Sequence, residues 1–353
     1  MIPANFTKKI EVGVLGATGV VGQHLVAMLA GHPWFRLTFV AASERSAGKR
    51  YCELPWRLAR PLPEEAERLV LDSLIPGNAP EILFSALDAG AAGEAEAAFA
   101  CAGHIVLSNA RNHRMDPCVP LVIPEVNAEH LAALPFQKQQ KCWRGAIITN
   151  PNCSTIFLAM ALAALRKLNP QKVVVTTMQA LSGAGYPGVA SFDALGNVIP
   201  FIAGEEEKIE HETRKILGTF TANGFAPANL QISAQSTRVP VVNGHTEAVS
   251  VHLREHATRE EIIGCFEKFV GRPQEIGLPH APKSPVLHLD SADRPQARMD
   301  VERFAGMAVQ VGRVRECSVL GYKFVLLGHN LIRGAAGAAL LNAELMCAEG
   351  LLN

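Results

Sequence analysis

The run Ile10-Glu-Val-Gly-Val-Leu15 passes directly into Gly16-Ala-Thr-Gly19-Val-Val-Gly22, and an apolar-periodic segment follows at 24–29. Strand, glycine turn and helix in that order leave few folds open. Glycines permit the tight turn and let backbone N–H groups approach a pyrophosphate, which then rests on the positive end of the helix. The spacing is GxxGxxG, a variant of GxGxxG, and the flanking strand and helix favour nucleotide binding over a purely structural turn. Gly16, Ala17, Thr18, Gly19, Val20 and Val21 form the candidate cradle. Further apolar runs at 37–41, 81–86, 104–108 and 145–148, with an alanine-rich helical segment at 91–102, continue the alternation. It predicts a doubly wound parallel sheet whose ligand crevice lies at the carboxyl ends of its strands.

After the strand at 37–41 come Ser43, Glu44, Arg45 and Ser46, where the adenosine ribose of a dinucleotide would lie. NAD sites place an acid on the ribose 2′-hydroxyl, whereas NADP sites use hydroxyl and guanidinium groups for the 2′-phosphate. Ser43, Arg45 and Ser46 favour NADP, and Glu44 is the residue that could serve NAD instead. The loop Asn109-Ala-Arg-Asn-His-Arg-Met115 opens onto the same crevice, with Arg111 and Arg114 as candidate anion ligands.

Asn150-Pro-Asn-Cys-Ser-Thr155 joins the strand at 145–148 to a helical pattern at 156–168. Cys153 thus stands in the first turn of a helix, among unpaired N–H groups at the positive end of the dipole, with Asn152 and Ser154 as capping residues. Such a field lowers a thiol's pKa. The thiolate is the nucleophile, so the position suits covalent catalysis, a core-filling cysteine being the alternative.

Beyond that helix, 172–179 and 245–253 alternate as strands with one covered face, which predicts a mixed or antiparallel sheet with helices on one side. Between them lie Ser182-Gly-Ala-Gly185 and Gly204-Glu-Glu-Glu-Lys208, the latter opening a helix-like stretch at 209–217; acidic residues suit a helix N-terminus on dipole grounds alone. In Arg238-Val-Pro-Val-Val-Asn-Gly-His245, Asn243-Gly244 predicts a hairpin-like reversal. His245 is the candidate partner of the thiol, because an imidazole gains and loses a proton near neutral pH. Strands at 308–312 and 321–328 and a small-residue-rich helix from Asn330 complete the pattern.

The 353 residues, 48% of them hydrophobic, suffice for two domains. Lys plus Arg and Asp plus Glu balance at 33 each, so no basic excess points to nucleic acid or an anionic membrane. No stretch approaches the ~20 apolar residues of a membrane span, and Met1 to Lys9 lack the apolar core of a signal peptide. A cytoplasmic protein is expected, with small molecules and other copies of itself as partners. The eight cysteines show neither CxxC pairs nor zinc-type spacing, so reduced thiols and no metal site are expected.

The motifs Gly16-Ala-Thr-Gly-Val-Val-Gly22, Ser108-Asn-Ala-Arg-Asn-His-Arg-Met115, Asn150-Pro-Asn-Cys-Ser154, Gln179-Ala-Leu-Ser-Gly-Ala-Gly185, Gly204-Glu-Glu-Glu-Lys208, Arg238-Val-Pro-Val-Val-Asn-Gly-His245 and Asn330-Leu-Ile-Arg-Gly-Ala-Ala336 occur in that order. Together they make the chain resemble, nearly end to end, the aspartate-semialdehyde dehydrogenases, in the branch with archaeal and fungal members. The resemblance implies an α/β fold like that of glyceraldehyde-3-phosphate dehydrogenase. An N-terminal Rossmann-type doubly wound parallel sheet, residues 1–152 with 330–353, would bind NADP. An α+β catalytic and dimerisation domain, residues 153–329, would build a homodimer or homotetramer. The implied reaction is reduction of L-aspartyl 4-phosphate by NADPH to aspartate semialdehyde and phosphate, in lysine, threonine, methionine and isoleucine biosynthesis. By resemblance Cys153 is the nucleophile, His245 the acid/base, and Gln179 orients the acyl group. Arg238 would hold the substrate carboxylate, Glu205 its ammonium, and Arg114 with Lys208 the phosphate; a one-residue shift leaves Glu206 and Glu207 open beside Glu205. Ser182, Gly183 and Asn330 would join the cofactor contacts, next to His329, where relatives often have Asp. N-acetylglutamyl-phosphate reductases, which typically carry Gly in place of Asn152, malonyl-CoA reductases and a non-catalytic NADP-binding sensor are the alternatives.

Overall fold

The computed structural model describes residues 8–352, so the reading of Met1 to Thr7 as free of a leader lies outside the described residues. The chain divides into two compact units, one made of residues 8–122, 129–150 and 336–352, the other of 123–128 and 151–335.

In the first unit β1 (Ile10–Leu15), β2 (Phe35–Ala41), β3 (Leu71–Asp72), β4 (Ile82–Ser85), β5 (Ile105–Ser108) and β6 (Ala146–Thr149) form one sheet in the order β3-β2-β1-β4-β5-β6, every neighbouring pair parallel. This is the expected doubly wound sheet. The strand order reverses between β1 and β4, the place where such sheets open a ligand crevice. Leu15, Leu83, Val106 and Ile147 from four strands pack with Phe99 of the helix Ala89–Ala102 in a solvent-free cluster. That helix starts because the Asp88 carboxylate accepts the N–H groups of Gly90 and Ala91, and stops at Gly103 in the left-handed region.

The glycine turn is set by contact distances. Gly16 has φ +74°, and a Cβ built on Gly22 would stand 2.3 Å from the Gly16 carbonyl oxygen. Only glycine lets the helix Val20–Leu29 start this close to the turn.

In the second unit β7 (Pro170–Gln179) is followed by a small antiparallel pair, β8 (Thr219–Thr221) and β9 (Gly224–Ala226). Then come β10 (Gln231–Arg238), β11 (His245–Leu253), β12 (Val286–Leu289), β13 (Val309–Cys317) and β14 (Gly321–Gly328). The main sheet has the order β10-β7-β11-β14-β13-β12, parallel at β10/β7 and β12/β13 and antiparallel elsewhere, the expected mixed sheet. His245, Glu247, Val249 and Val251 alternate onto one face of β11 and are all buried. Phe157, Ile209 and Phe266, from the helices Cys153–Ala164, Glu205–Ile216 and Arg259–Glu267, are buried in the same unit.

Two local expectations are corrected. Asn243-Gly244 does reverse the chain, but it caps no hairpin: β10 and β11 both pair with β7, which lies between them. The last helix does not begin at Asn330; Ile332–Ala336 form a π-helical turn, and the α-helix runs Gly337–Ala348. Among the described residues no helix is long and apolar enough to cross a membrane.

Candidate active site

Cys153 is the first residue of the helix Cys153–Ala164, and Asn152 is its cap, its side-chain oxygen accepting the N–H groups of Ser154 and Thr155 at 3.0 and 3.3 Å. The cap is itself held. Its amide nitrogen donates to both Glu205 oxygens (3.1 and 2.9 Å), and its backbone N–H donates to Glu212 at 2.7 Å. Glu205 and Glu212 lie two helical turns apart on Glu205–Ile216, so one face of that helix fixes the start of the cysteine helix.

Glu205 gathers the rest of the cluster. Its carboxylate accepts from Lys208 Nζ at 2.6 Å and from Gln179 Nε2 at 3.1 Å, at the end of β7. Burial works to raise the Glu205 pKa, but Lys208, Gln179 and Asn152 outweigh it and hold the group below the usual carboxylate value. Of the three adjacent glutamates Glu205 is the buried one, Glu207 is exposed, and Glu206 caps the backbone N–H of Ser236.

Arg238 closes β10, buried, with Nη1 donating to the Ala180 carbonyl at 2.8 Å. Burial lowers its pKa, and the opposite charges of Cys153 and Glu205 pull it back up. The guanidinium and the helix N-terminus both favour the anionic form of the Cys153 sulfur. His245 opens β11, with Nδ1 accepting the Ala180 N–H at 3.0 Å and Phe157 standing edge-on to its ring. Complete burial, followed by the Arg238 charge, pushes its pKa down to about 3, against the pull of Glu205. Asn330 ties the two loops beneath this group together: its oxygen accepts the Gly244 N–H and its nitrogen donates to Ser182 Oγ. The nearby His329 accepts the N–H groups of Leu331 and Ile332 on Nδ1 and faces Glu302 at 3.5 Å.

Thus Cys153, Gln179, Glu205, Lys208, Arg238 and His245 belong to one network in the second unit, with Ser182, Gly183 and Asn330 at its border. Sequence reasoning missed Glu212, the Ala180 N–H and Gly334. For Glu212 a signal existed, since it repeats Glu205 at a spacing of seven. The other two act through backbone and through absence of a side chain, and neither leaves a mark in the residue pattern.

The first unit holds the remaining candidates. Gly16 to Gly19 form the turn at the end of β1 and Val20 and Val21 begin the helix that follows, whose cap Gly19 makes no side-chain hydrogen bond, so no side chain caps its leading N–H groups. A Cβ on Gly16 would fall 2.7 Å from the Ala86 carbonyl oxygen. This cradle fits a dinucleotide pyrophosphate. Ser43, Glu44 and Arg45 are exposed after β2, and Ser46 is half-buried there. Arg114 is buried, its Nη2 donating to the Asn109 carbonyl at 2.7 Å.

Two family models match: "Semialdehyde dehydrogenase, NAD binding domain" over residues 11–134 and "Semialdehyde dehydrogenase, dimerisation domain" over 162–333. An aspartate-semialdehyde dehydrogenase of Archaeoglobus fulgidus is 47% identical over 98% of this chain and all of its own length. One of Cryptococcus neoformans is 44% identical, covering 98% of both chains. The crystal structure of the Candida albicans enzyme with NADP superposes with a TM-score of 0.90 at 40% identity, over 97% of this chain and 99% of the other. The chain belongs to the aspartate-semialdehyde dehydrogenase family, with archaeal and fungal members among its relatives.

Proposed function

We propose that the chain reduces L-aspartyl 4-phosphate to aspartate semialdehyde with release of phosphate, using NADPH. The observation that carries the reading is the single network of Cys153, Arg238, Glu205, Gln179 and His245, which puts a nucleophile, a carboxylate ligand and an ammonium ligand together. NADP is the cofactor with which the Candida albicans relative was solved, and Ser43, Arg45 and Ser46 offer donors for its 2′-phosphate.

Arg238 binds the substrate α-carboxylate and Glu205 its ammonium, which sets the 4-acyl carbon against Cys153. The Cys153 thiolate attacks that carbon; the bond to the phosphate oxygen breaks, and the pair leaves with phosphate, for which Arg114 and Lys208 supply positive charge. Gln179 orients the acyl group. Bound on the glycine turn, NADPH supplies the hydride that reduces the Cys153 thioester. His245 serves the carbonyl oxygen with the hydrogen on Nε2, and the N–H groups at the head of the cysteine helix add to that stabilisation. Collapse of the thiohemiacetal returns the thiolate. Self-association as a homodimer or homotetramer runs through the segment matched by the dimerisation model.

The test runs the reaction in reverse. Protein, NADP and phosphate are offered aspartate semialdehyde or N-acetylglutamate semialdehyde, and NADP with CoA is offered malonate semialdehyde. Cofactor reduction with aspartate semialdehyde alone is the expected result; reduction with another aldehyde alone, or NADP binding without any turnover, overturns it. Cys153→Ser should abolish turnover and leave NADP affinity nearly unchanged.

A further inference from the structure

The helix Ala89–Ala102 buries one carboxyl, that of Glu96, on the side that also carries Ala92, Phe99 and Ala100. Burying a carboxyl among apolar side chains is costly unless its oxygens are used. Each of them is turned to the segment that ends β5 and leads into the loop 109–115. Oε1 accepts the Ser108 hydroxyl hydrogen at 2.7 Å, and Ser108 Oγ in turn accepts the Ala110 N–H at 3.1 Å. Oε2 faces His113 Nε2 at 3.8 Å, with both atoms shut off from solvent. The His113 ring also stands edge-on to Trp143, with 6.3 Å between the ring centres.

The same helix grips the loop a second time. Ala89, Gly93 and Glu96 are spaced four and then three residues apart, which lines them up along one face. Asn112 Nδ2 donates to the Ala89 carbonyl at 3.0 Å, and a Cβ built on Gly93 would stand 2.9 Å from that nitrogen. Within the loop Arg114 Nη2 donates to the Asn109 carbonyl at 2.7 Å, and Asn109 Nδ2 donates to the Ser85 carbonyl at the end of β4. The segment that carries Arg114 is thus tied to the helix at Ser108, Asn112 and His113. We infer that Glu96 is a positioning residue for the phosphate step: through Ser108 and His113 it fixes the 109–115 loop, and with it Arg114, by contact and not by charge.

The inference deepens the reaction proposed above and rests on its assignment of Arg114 to the phosphate. Burial raises the Glu96 pKa, while the Ser85 and Ser108 hydroxyls and the neighbouring His113 and Arg114 work against that rise. Whether or not the carboxyl carries a proton, Oε1 can accept the Ser108 hydrogen, so this tie does not depend on charge. A negative charge near Arg114 would in fact oppose an anion arriving there. What Glu96 contributes is order: a guanidinium held in place before phosphate binds loses less freedom on binding it.

The test uses the whole protein with NADP, aspartate semialdehyde and inorganic phosphate. Glu96→Leu fills the space with an apolar side chain and removes both contacts; Glu96→Gln keeps an oxygen for Ser108 and a polar atom toward His113 while removing the charge. Glu96→Leu should raise the KM for phosphate by about tenfold or more, the worth of one charge-assisted hydrogen bond to phosphate, and move the KM values for aspartate semialdehyde and NADP by less than about twofold. In Glu96→Gln the phosphate KM should stay within about threefold of wild type or fall, because a charge unfavourable to the anion is gone. Equal rises in the two variants, or a rise in all three KM values together, overturn the inference. Ser108→Ala cuts the same tie from the other end and should also raise the phosphate KM, which keeps the inference open to refutation if Glu96→Leu does not fold. Hydrogen exchange of the segment 109–115 in the NADP-bound protein should be faster in Glu96→Leu or Ser108→Ala and near wild type in Glu96→Gln; unchanged exchange in the first two overturns the inference. The exchange measurement needs no turnover, so a protein inactive on aspartate semialdehyde would refute the reaction and still show whether Glu96 holds the loop.

Discussion

A Cβ built on Gly334 would stand 2.6 Å from the Cβ of Cys153, a separation that no side chain could accept without movement. The π-helical turn Ile332–Ala336 delivers that glycine against Cys153, so a backbone irregularity and a missing side chain together make room for the start of the cysteine helix. Gly334→Ala is expected to push the first turn of the cysteine helix aside. Misplacing a nucleophile by about 1 Å costs on the order of 100-fold in rate. Turnover should therefore fall by about that factor with NADP affinity retained, as measured by steady-state kinetics and by fluorescence titration.

Arg333, beside that glycine, makes two hydrogen bonds to Glu125, at 2.9 and 2.6 Å, and neither side chain reaches solvent. Both residues belong to the second unit. Breaking such a pair leaves an uncompensated buried charge, which costs about 3–5 kcal/mol, whereas replacing both partners by apolar groups removes the charge altogether. Glu125→Gln should lower the stability measured by urea unfolding by about that amount. The double variant Glu125→Met with Arg333→Met should lose markedly less.

Glu247 is fully buried on β11, and both of its oxygens lack a hydrogen-bond partner among the described residues. Burial raises its pKa well above the usual carboxylate value, so the folded chain keeps the proton where the unfolded chain releases it. A raised acid contributes stability below its unfolded pKa and loses it as pH rises toward the folded value. The wild type should lose up to ~1.4 kcal/mol per pH unit above about pH 4.5 from this group. In Glu247→Gln that slope is expected to be shallower, and the variant's melting temperature should gain on wild type between pH 5 and 8. Parallel curves for the two proteins would mean that Glu247 is ionised inside the fold.

Much of this was readable from residue order. The strand Ile10–Leu15 with its glycine turn, and the alternation at 245–253, follow from local periodicity, and the structure has both elements. β10 escaped notice because Gln231, Ser233 and Gln235 line its exposed face, which leaves little apolar alternation to detect. The misread hairpin at Asn243-Gly244 has another cause. Turn residues report a reversal, but which strand lies between the two arms is decided by long-range pairing with β7. In the candidate site Cys153 and His245 are candidates by their chemistry, and Arg238 by the family resemblance. The backbone N–H of Ala180 and the bare Cα of Gly334 carry no such signal, since any residue brings an N–H and glycine has many other uses.

Arg45 and Glu44 stand side by side, both exposed, in the turn after β2, where one would serve a 2′-phosphate and the other a 2′-hydroxyl. Ser43 and Ser46 flank the pair and add hydroxyl donors, and the Ser46 N–H closes the turn on the Ser43 carbonyl at 2.9 Å. A guanidinium–phosphate hydrogen bond is of the charge-assisted kind worth about 1.5–3 kcal/mol, which is about ten- to a hundredfold in affinity. Arg45→Ala should weaken NADP by that factor and change NAD binding by less than about threefold. Glu44→Ala should leave NADP affinity unchanged or slightly improved, because a carboxylate near the phosphate is removed. Isothermal titration of both cofactors against the three proteins separates the cases; equal losses of NADP and NAD on removing Arg45 would show that the 2′-phosphate is read elsewhere.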